Sequence, residues 1–238
     1  MLLRSLQGFR TVSLPPRTNW LSCRRGLFVT TQNTPNPDSI KFLPGVPVLS
    51  GNPSGPQTAD FPSFRAAQSS PLAKSLFKVD GVKGVFLGSD FVTVTKDRNV
   101  EWPILRLHIY DTISAFFDSK EPLLTSDVGP SDTAIQPEDS EIVQMIKEIL
   151  ETKVRPSVQE DGGDIVFKGF EDGVVFLKMQ GSCSGCPSSS VTLKNGIERM
   201  LMHWIPEVNG VVAAGDDELD AISKAQLEKT EESLKQQQ

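Results

Sequence analysis

Cysteine, histidine and tyrosine are scarce in this chain of 238 residues, which contains three Cys, two His and one Tyr. So few cysteines exclude a disulfide-rich secreted scaffold, which needs several bridges to hold a small core together. No uninterrupted run of about 18 apolar residues occurs, and we therefore expect no transmembrane helix. The 18 Gly and 17 Pro are mostly concentrated in a few segments, which indicates a globular chain with flexible loops between its ordered parts.

Acidic residues are absent from the first 37 positions, where five Arg are found. The rest of the chain contains 19 Lys and Arg against 30 Asp and Glu, a net charge of −11. Binding to nucleic acid or to an anionic membrane requires Lys and Arg that replace counterions. We therefore expect neither nucleic acid nor membrane among the partners.

Residues 1–30 have the composition of a mitochondrial presequence, because they are rich in Arg, contain Ser and Thr, and lack acid. A helix over the first turns would gather its apolar side chains on one side: Leu2, Leu3, Leu6 and Phe9. A secretory signal would need an apolar stretch that is missing here, and a disordered basic tail is the alternative. Processing after Arg24-Arg25 would remove Cys23 and leave a mature chain with only Cys183 and Cys186.

The pattern beyond the presequence predicts an α+β protein, with two small domains joined by a flexible linker. The predicted segments are 31–122 for the first domain, 123–138 for the linker, 139–215 for the second domain and 216–238 for a charged tail. In the first domain we expect a strand at Ser39–Leu43, a long loop at 50–70 and a hairpin around Gly88-Ser89-Asp90. Its single histidine, His108, is interpreted as a surface or core-edge residue.

The second domain is predicted to have the element order α-β-β-α-β. Pro156 is expected to end or kink the first helix near Arg155. The predicted strands are Ile165–Phe170, Val174–Met179 and Val208–Ala213. The second helix has an apolar stripe that we interpret as core: Leu193, Ile197, Met200, Leu201 and Trp204. Met202 is likewise assigned to the core.

Cys183 and Cys186 form a Cys-x-x-Cys motif between a predicted strand and a predicted helix. Pro187 suits the first helical position, which places Cys186 at or near the N-cap. The free amides and the positive end of the helix dipole favour thiolates at this corner. Gly181 and Gly185 have no side chain, so the backbone at these positions can lie close to a bulky group. The corner therefore suits a negatively charged metal centre.

Three interpretations of the motif remain open from the residues alone. They are a dithiol oxidoreductase, a structural zinc site and an iron–sulfur cluster. Zinc and [4Fe–4S] sites normally take four protein ligands, but a mature chain supplies two thiols. His203 would lie roughly 25 Å from Cys186 along the helix, at 1.5 Å per residue, and cannot complete the set. A four-thiolate site therefore requires two chains related by a two-fold axis.

No side chain near the motif resembles a general base, and we do not expect an enzyme. Asp161, Asp164 and Asp172 could be considered as acid–base groups. Their Gly neighbours favour turn and capping roles instead.

Several motifs resemble the Nfu-type iron–sulfur scaffolds, whose cluster-binding module is the NifU C-terminal domain. Those in the second domain are EDGGD at 160–164, FEDG at 170–173, GSCSGCPSS at 181–189 and TLKNGIE at 192–198. Those in the first domain, TQNTPNPDS at 31–39, SPLA at 70–73 and the segment 84–95, resemble the Nfu N-terminal domain.

The resemblance implies that Cys183 and Cys186 bind one [4Fe–4S] cluster per homodimer, bridged between the subunits. It also implies cluster delivery in the mitochondrial matrix to lipoyl synthase and to aconitase-type and respiratory-complex proteins. A-type carriers and glutaredoxin are implied as assembly partners. The N-terminal domain contributes no cluster ligand in this family, and we hypothesise that it contacts partners or tunes the site.

Overall fold

The computed structural model describes residues 28–50, 57–125, 133–184 and 187–214, with only the backbone at 187–190 and 214. Residues 1–27 and 215–238, which contain most of the predicted presequence and charged tail, lie outside the described residues. Within the described ranges, no helix combines the length and apolarity needed to cross a membrane.

The first domain is a five-stranded antiparallel sheet with two helices. Its strands are β1 (Thr30–Asn33), β2 (Ser39–Leu43), β3 (Ala59–Phe61), β4 (Val82–Leu87) and β5 (Val92–Lys96), in the spatial order β1-β2-β5-β4-β3. The helices are α1 (Pro71–Phe77) and α2 (Trp102–Ser119), preceded by a 3₁₀ turn at Ala66–Ser69. Buried side chains from both helices and from one face of the sheet form its core.

Local sequence explains much of this domain. Ser70 caps α1 by accepting a hydrogen bond from the backbone of Ala73 at 3.2 Å, and Pro71 occupies the first turn. The predicted strand at Ser39–Leu43 and the hairpin around Gly88 are confirmed. The predicted loop over 50–70 is wrong in part, because Ala59–Phe61 pairs with β4 as an edge strand. Cross-strand pairing overrides the local turn composition there.

The second domain has the predicted order α-β-β-α-β. Its elements are α3 (Glu141–Ile149), α4 (Arg155–Glu160), β6 (Gly163–Glu171), β7 (Val174–Gly181), α5 (Pro187–Trp204) and β8 (Gly210–Ala214). β6 and β7 form an antiparallel hairpin, and β8 pairs in parallel with β7. Because a parallel pair needs a long crossover, α5 connects β7 to β8 across the sheet.

Proline interrupts the first helical segment of this domain, as predicted. A π-helical turn at Leu150–Val154 separates α3 from α4, and Pro156 lies in the first turn of α4. The missing N–H of Pro156 cannot continue the regular hydrogen-bond ladder, and the wider turn accommodates its ring.

The core assignment at the end of α5 is wrong for Trp204 and Met202. Trp204 is 64% exposed and Met202 is also exposed, whereas Ile205 is fully buried. The buried face of α5 follows steps of four residues, Ile197 and Leu201, and continues to Ile205 just after the helix, which leaves Trp204 at its edge.

The two domains pack against each other. One face of the five-stranded sheet is covered by α1 and α2, and the opposite face contacts the β6–β7 end of the second domain. Phe86 and Phe91 are buried at this junction and belong to neither core. The contact places the first domain beside the cysteine motif.

Candidate metal centre

The cysteine motif begins where β7 ends. Gly181 closes the strand with a φ of +63°, and a tight turn follows at Ser182 and Cys183. The backbone of Ser182 donates to the carbonyl of Gly162, and that of Cys183 to the carbonyl of Gln180, each at 3.3 Å. These bonds hold the cysteine against the start of β6.

A glycine makes space for the Cys183 sulfur. A Cβ atom at Gly163 would lie 2.6 Å from Sγ of Cys183 and 2.7 Å from the carbonyl oxygen of Gln180. Gly163 pairs with Gly181 across the hairpin, so the register of β6 and β7 positions the sulfur. The second glycine of the EDGGD motif, Gly163, is therefore a steric requirement of the cysteine turn.

Cys183 lies deeper than its place in a loop suggests. Cys183 is 6% exposed and belongs to the core of the second domain. The hydroxyl of Ser182 lies 3.8 Å from its sulfur and donates to the carbonyl of Asp161 at 2.6 Å.

Cys186, the second predicted ligand, lies outside the described residues, as does Gly185. Helix α5 begins at Pro187, as the sequence predicts. The residue before Pro187 is therefore next to the positive end of an 18-residue helix, where a thiolate is favoured. Cys186 stays a predicted ligand on that basis.

Both histidines lie on exposed faces of helices. His203 is exposed near the C-terminal end of α5, where it packs against Trp204, and His108 is exposed on α2. Among the described residues, no three or more His, Cys, Asp and Glu side chains are grouped as a metal site.

A largely apolar cavity of about 520 Å³ opens beside Cys183. Its lining includes Pro35 of the first domain and Lys153, Asp161 and Met200 of the second. Burial raises the pKa of Asp161, Glu160 raises it further by repulsion, and Lys41 opposes both effects. The sulfur thus borders a largely apolar cavity whose lining includes a carboxylate that ionises less readily than usual.

The three aspartates considered at the sequence level occupy different environments. Asp172 lies in the hairpin turn with a φ of +47°, and Asp161 ends α4, as turn and capping roles require. Asp164 is different, because it lies in β6, is buried, and pairs with Arg155 through an Nε–Oδ1 distance of 3.1 Å. The turn or capping role expected for Asp164 is therefore wrong, since an ion pair binds its carboxylate.

Sequence reasoning missed a set of contacts from the first domain. The Asn36 amide donates to the carbonyl of Ser182 at 3.1 Å, and the Thr93 hydroxyl to the carbonyl of Gly162 at 2.7 Å. The Thr58 hydroxyl donates to Asp164 at 2.6 Å. The available signal was the alternation of Phe91, Thr93 and Thr95, which places one aromatic and two hydroxyl side chains on a face that the helices do not cover.

Comparison with known proteins places both domains in one family. Residues 146–212 match the NifU-like domain, and residues 29–120 match the N-terminal domain of the scaffold protein Nfu/NifU. The chain is 55% identical over 197 residues to the human protein called NFU1 iron-sulfur cluster scaffold homolog, mitochondrial, covering 82% of this chain and 75% of that one. It is 53% identical over 214 residues to NifU-like protein 5, mitochondrial, of Arabidopsis thaliana, covering 88% and 76%. The chain therefore belongs to the family of mitochondrial Nfu iron–sulfur cluster scaffold proteins.

Proposed function

We propose that this protein holds a [4Fe–4S] cluster between two copies of the chain and transfers it to mitochondrial apoproteins. Cys183 and Cys186 of each copy supply the four thiolates, and the protein catalyses no reaction of its own. The observation that carries the proposal is the position of Cys183 two residues after the end of β7 and four residues before the first residue of α5, in a chain of the Nfu family.

The number of available ligands supports a shared cluster. A [4Fe–4S] cluster takes four thiolates, and the Cys-x-x-Cys motif supplies two. The only other cysteine, Cys23, lies in the predicted presequence. A cluster held across a two-fold axis gives each chain the same role.

A shared cluster is also suited to transfer. Separation or exchange of one cysteine pair frees two coordination positions, which the thiols of an acceptor can then occupy. Lipoyl synthase and aconitase-type and respiratory-complex proteins are the acceptors we propose. A-type carriers and glutaredoxin are the proposed assembly partners.

Anaerobic reconstitution of the full chain tests the proposal. We expect about two irons and two sulfides per chain, a dimeric mass and the visible and Mössbauer spectra of a [4Fe–4S] cluster, since one cluster with four irons serves two chains. Transfer is then measured as the gain of cluster by an apo-acceptor.

Serine variants assign the ligands. Cys183→Ser and Cys186→Ser should each abolish the cluster, whereas the matched control Cys23→Ser should retain it. Helical circular dichroism should be unchanged in all three variants. Protein isolated without oxygen that holds zinc and takes up no iron would contradict the proposal, as would disulfide reductase activity that Cys183→Ser removes.

A further inference from the structure

The outer face of the first domain presents a row of side chains to the cysteine motif. Lys41 pairs with Thr93 and Thr93 with Phe86, so the three side chains lie side by side across β2, β5 and β4. An antiparallel sheet covered by helices on one face commonly leaves the other face in water. Here Lys41 is only 7% exposed, and Thr93 and Phe86 are each 1% exposed.

The segments that cover this row are those that hold Cys183. Lys41 Nζ donates to the carbonyls of Gln159 at 2.9 Å and Glu160 at 3.3 Å, just before the turn that leads into β6. Thr93 bonds the carbonyl of Gly162, as described above, and the ring of Phe86 lies against Gly181. The first domain therefore contacts both backbone segments that enclose the sulfur.

Asn36 contacts the residue immediately before Cys183. Its amide nitrogen donates to the carbonyl of Ser182, while its own Oδ1 accepts from the backbone of Asp38 at 3.0 Å. This second bond lies within the first domain, so it orients the Asn36 amide independently of the second domain.

The donors are positioned by their own domain. Lys41 Nζ lies 4.2 Å from the centre of the Phe91 ring, and burial lowers the pKa of Lys41. A buried ammonium is stable only if its hydrogen bonds are made, and the carbonyls of Gln159 and Glu160 accept them.

We propose that the first domain is an intrachain latch on the cysteine turn, which keeps Cys183 buried until the domains separate. A ligand that bridges two chains must bring its sulfur to the molecular surface, whereas the latched turn leaves Cys183 6% exposed. Separation of the domains releases the carbonyls of Gly162 and Ser182 and frees the turn to rearrange. That the released form accepts a cluster rests on the proposed function; the latch itself does not.

Alkylation of Cys183 tests the latch without a cluster. The full chain carrying Cys23→Ser and Cys186→Ser has Cys183 as its only thiol, and its reaction with iodoacetamide at constant pH reports the open form. Thr93→Val or Asn36→Ala should each accelerate the reaction roughly two- to tenfold, the factor expected for loss of one hydrogen bond.

Thr95→Val is the matched control. Thr95 lies on the same strand, and its hydroxyl contacts Ser39 of its own domain at 2.8 Å. This variant should leave the alkylation rate of Cys183 unchanged, and urea unfolding of all variants shows whether a general loss of stability accounts for any change. Equal rates in all variants, or equal acceleration by Thr95→Val, would overturn the latch.

Cluster uptake separates the latch from the proposed function. With all cysteines present, Thr93→Val should take up a cluster faster than the unmodified chain during anaerobic reconstitution. Slower or equal uptake by a variant whose Cys183 is alkylated faster would overturn the claim that the released turn is the form that accepts a cluster. Failure of every variant and of the unmodified chain to take up iron would overturn the proposed function, while faster alkylation would still support the latch.

Discussion

Glycines at 162, 163 and 181 determine whether the cysteine turn can form. Gly162 and Gly181 have φ values of +81° and +63°, which side chains other than glycine rarely adopt. Gly163 lies in the ordinary strand region but faces the sulfur of Cys183. Backbone conformation and steric space therefore make separate demands on this turn.

We predict that Gly181→Ala destabilises the protein by about 1–3 kcal/mol, the cost of a strained backbone conformation. Its Cβ would lie 2.9 Å from the carbonyl oxygen of Gly162 and 2.9 Å from the Phe86 ring. Urea unfolding measures the change. The control Gly196→Ala should stabilise by about 0.5–1 kcal/mol, since it lies within α5 and its Cβ would meet no atom within 4 Å. Equal stabilities for the two variants would contradict this explanation.

A buried ion pair joins α4 to β6. Arg155 contacts Asp164 through Nε, donates to the carbonyl of Ile165 at 3.1 Å and to the hydroxyl of Thr133 at 2.9 Å, and also pairs with Glu151. The guanidinium thereby links the end of the predicted linker, the π-helical turn and the hairpin.

We predict that Asp164→Ala lowers the free energy of unfolding by about 1–3 kcal/mol, because it removes the buried acceptor of Arg155 Nε and of the Thr58 hydroxyl, while Glu151 remains paired with the guanidinium. Chemical denaturation at neutral pH measures this loss. Asp118→Ala, at an exposed position of α2, serves as the control and should change stability by no more than about 0.5 kcal/mol. A similar small effect at Asp164 would show that the ion pair is dispensable.

At the scale of elements, α3 is anchored by its first and last turns. Ser140 caps the helix by accepting from the backbone of Val143 at 3.3 Å. Lys147, which is buried, contacts Asp139 at 2.6 Å and donates to the carbonyl of Ala134 at 3.1 Å. These bonds attach residues 134–139, the end of the predicted linker, to the second domain.

The contact between Lys147 and Asp139 predicts that the stability of the protein depends on pH. Hydrogen bonds from the backbone of Gln136 and from Lys147 lower the pKa of Asp139 below its ordinary value of 3.8. The carboxylate therefore contributes stability above about pH 3.8, and this contribution is lost as the pH falls through the lowered pKa. We expect Asp139→Asn to be less stable than the unmodified chain at pH 7, with the difference shrinking below pH 3.8. Urea unfolding across this range measures it, and a difference that does not vary with pH would exclude the carboxylate as its origin.

At the scale of the whole molecule, the two domains depend on each other. Phe86 and Phe91 are buried with ring centres 6.0 Å apart, yet neither belongs to a domain core. Without the second domain both rings would face water, which links the folding of one domain to the other.

We predict that Phe86→Ala separates the unfolding of the two domains. Trp102 lies in the first domain and Trp204 in the second. The fluorescence of chains that keep only one of these tryptophans therefore reports the unfolding of one domain at a time. The two reporters should give one midpoint in urea with Phe86 present and two midpoints in Phe86→Ala. Val85→Ala, on the helix-covered face of the same strand, should lower both midpoints together. Separate midpoints with Phe86 present would show that the domains are independent.

Local patterns were sufficient for the elements that local chemistry defines. The hairpin at Gly88, the interruption at Pro156 and the start of α5 at Pro187 were all predicted, since each depends on a few adjacent residues. The strand at Ala59–Phe61 and the exposure of Trp204 were not, because pairing with β4 and the direction of the buried helix face arise from distant parts of the chain.

Local motifs and their spacing were sufficient to predict the family, the α+β class and the two candidate ligands, because such motifs need only adjacent residues. Packing between distant segments buries Cys183 in the core, makes Gly163 the residue that leaves space for it, and brings Asn36 and Thr93 to the backbone around it. Asn36 and Ser182 are separated by 146 residues, and no local sequence pattern predicts that the Asn36 side chain will contact the Ser182 backbone. Such contacts depend on how two folded surfaces fit together, and only the packed molecule specifies that.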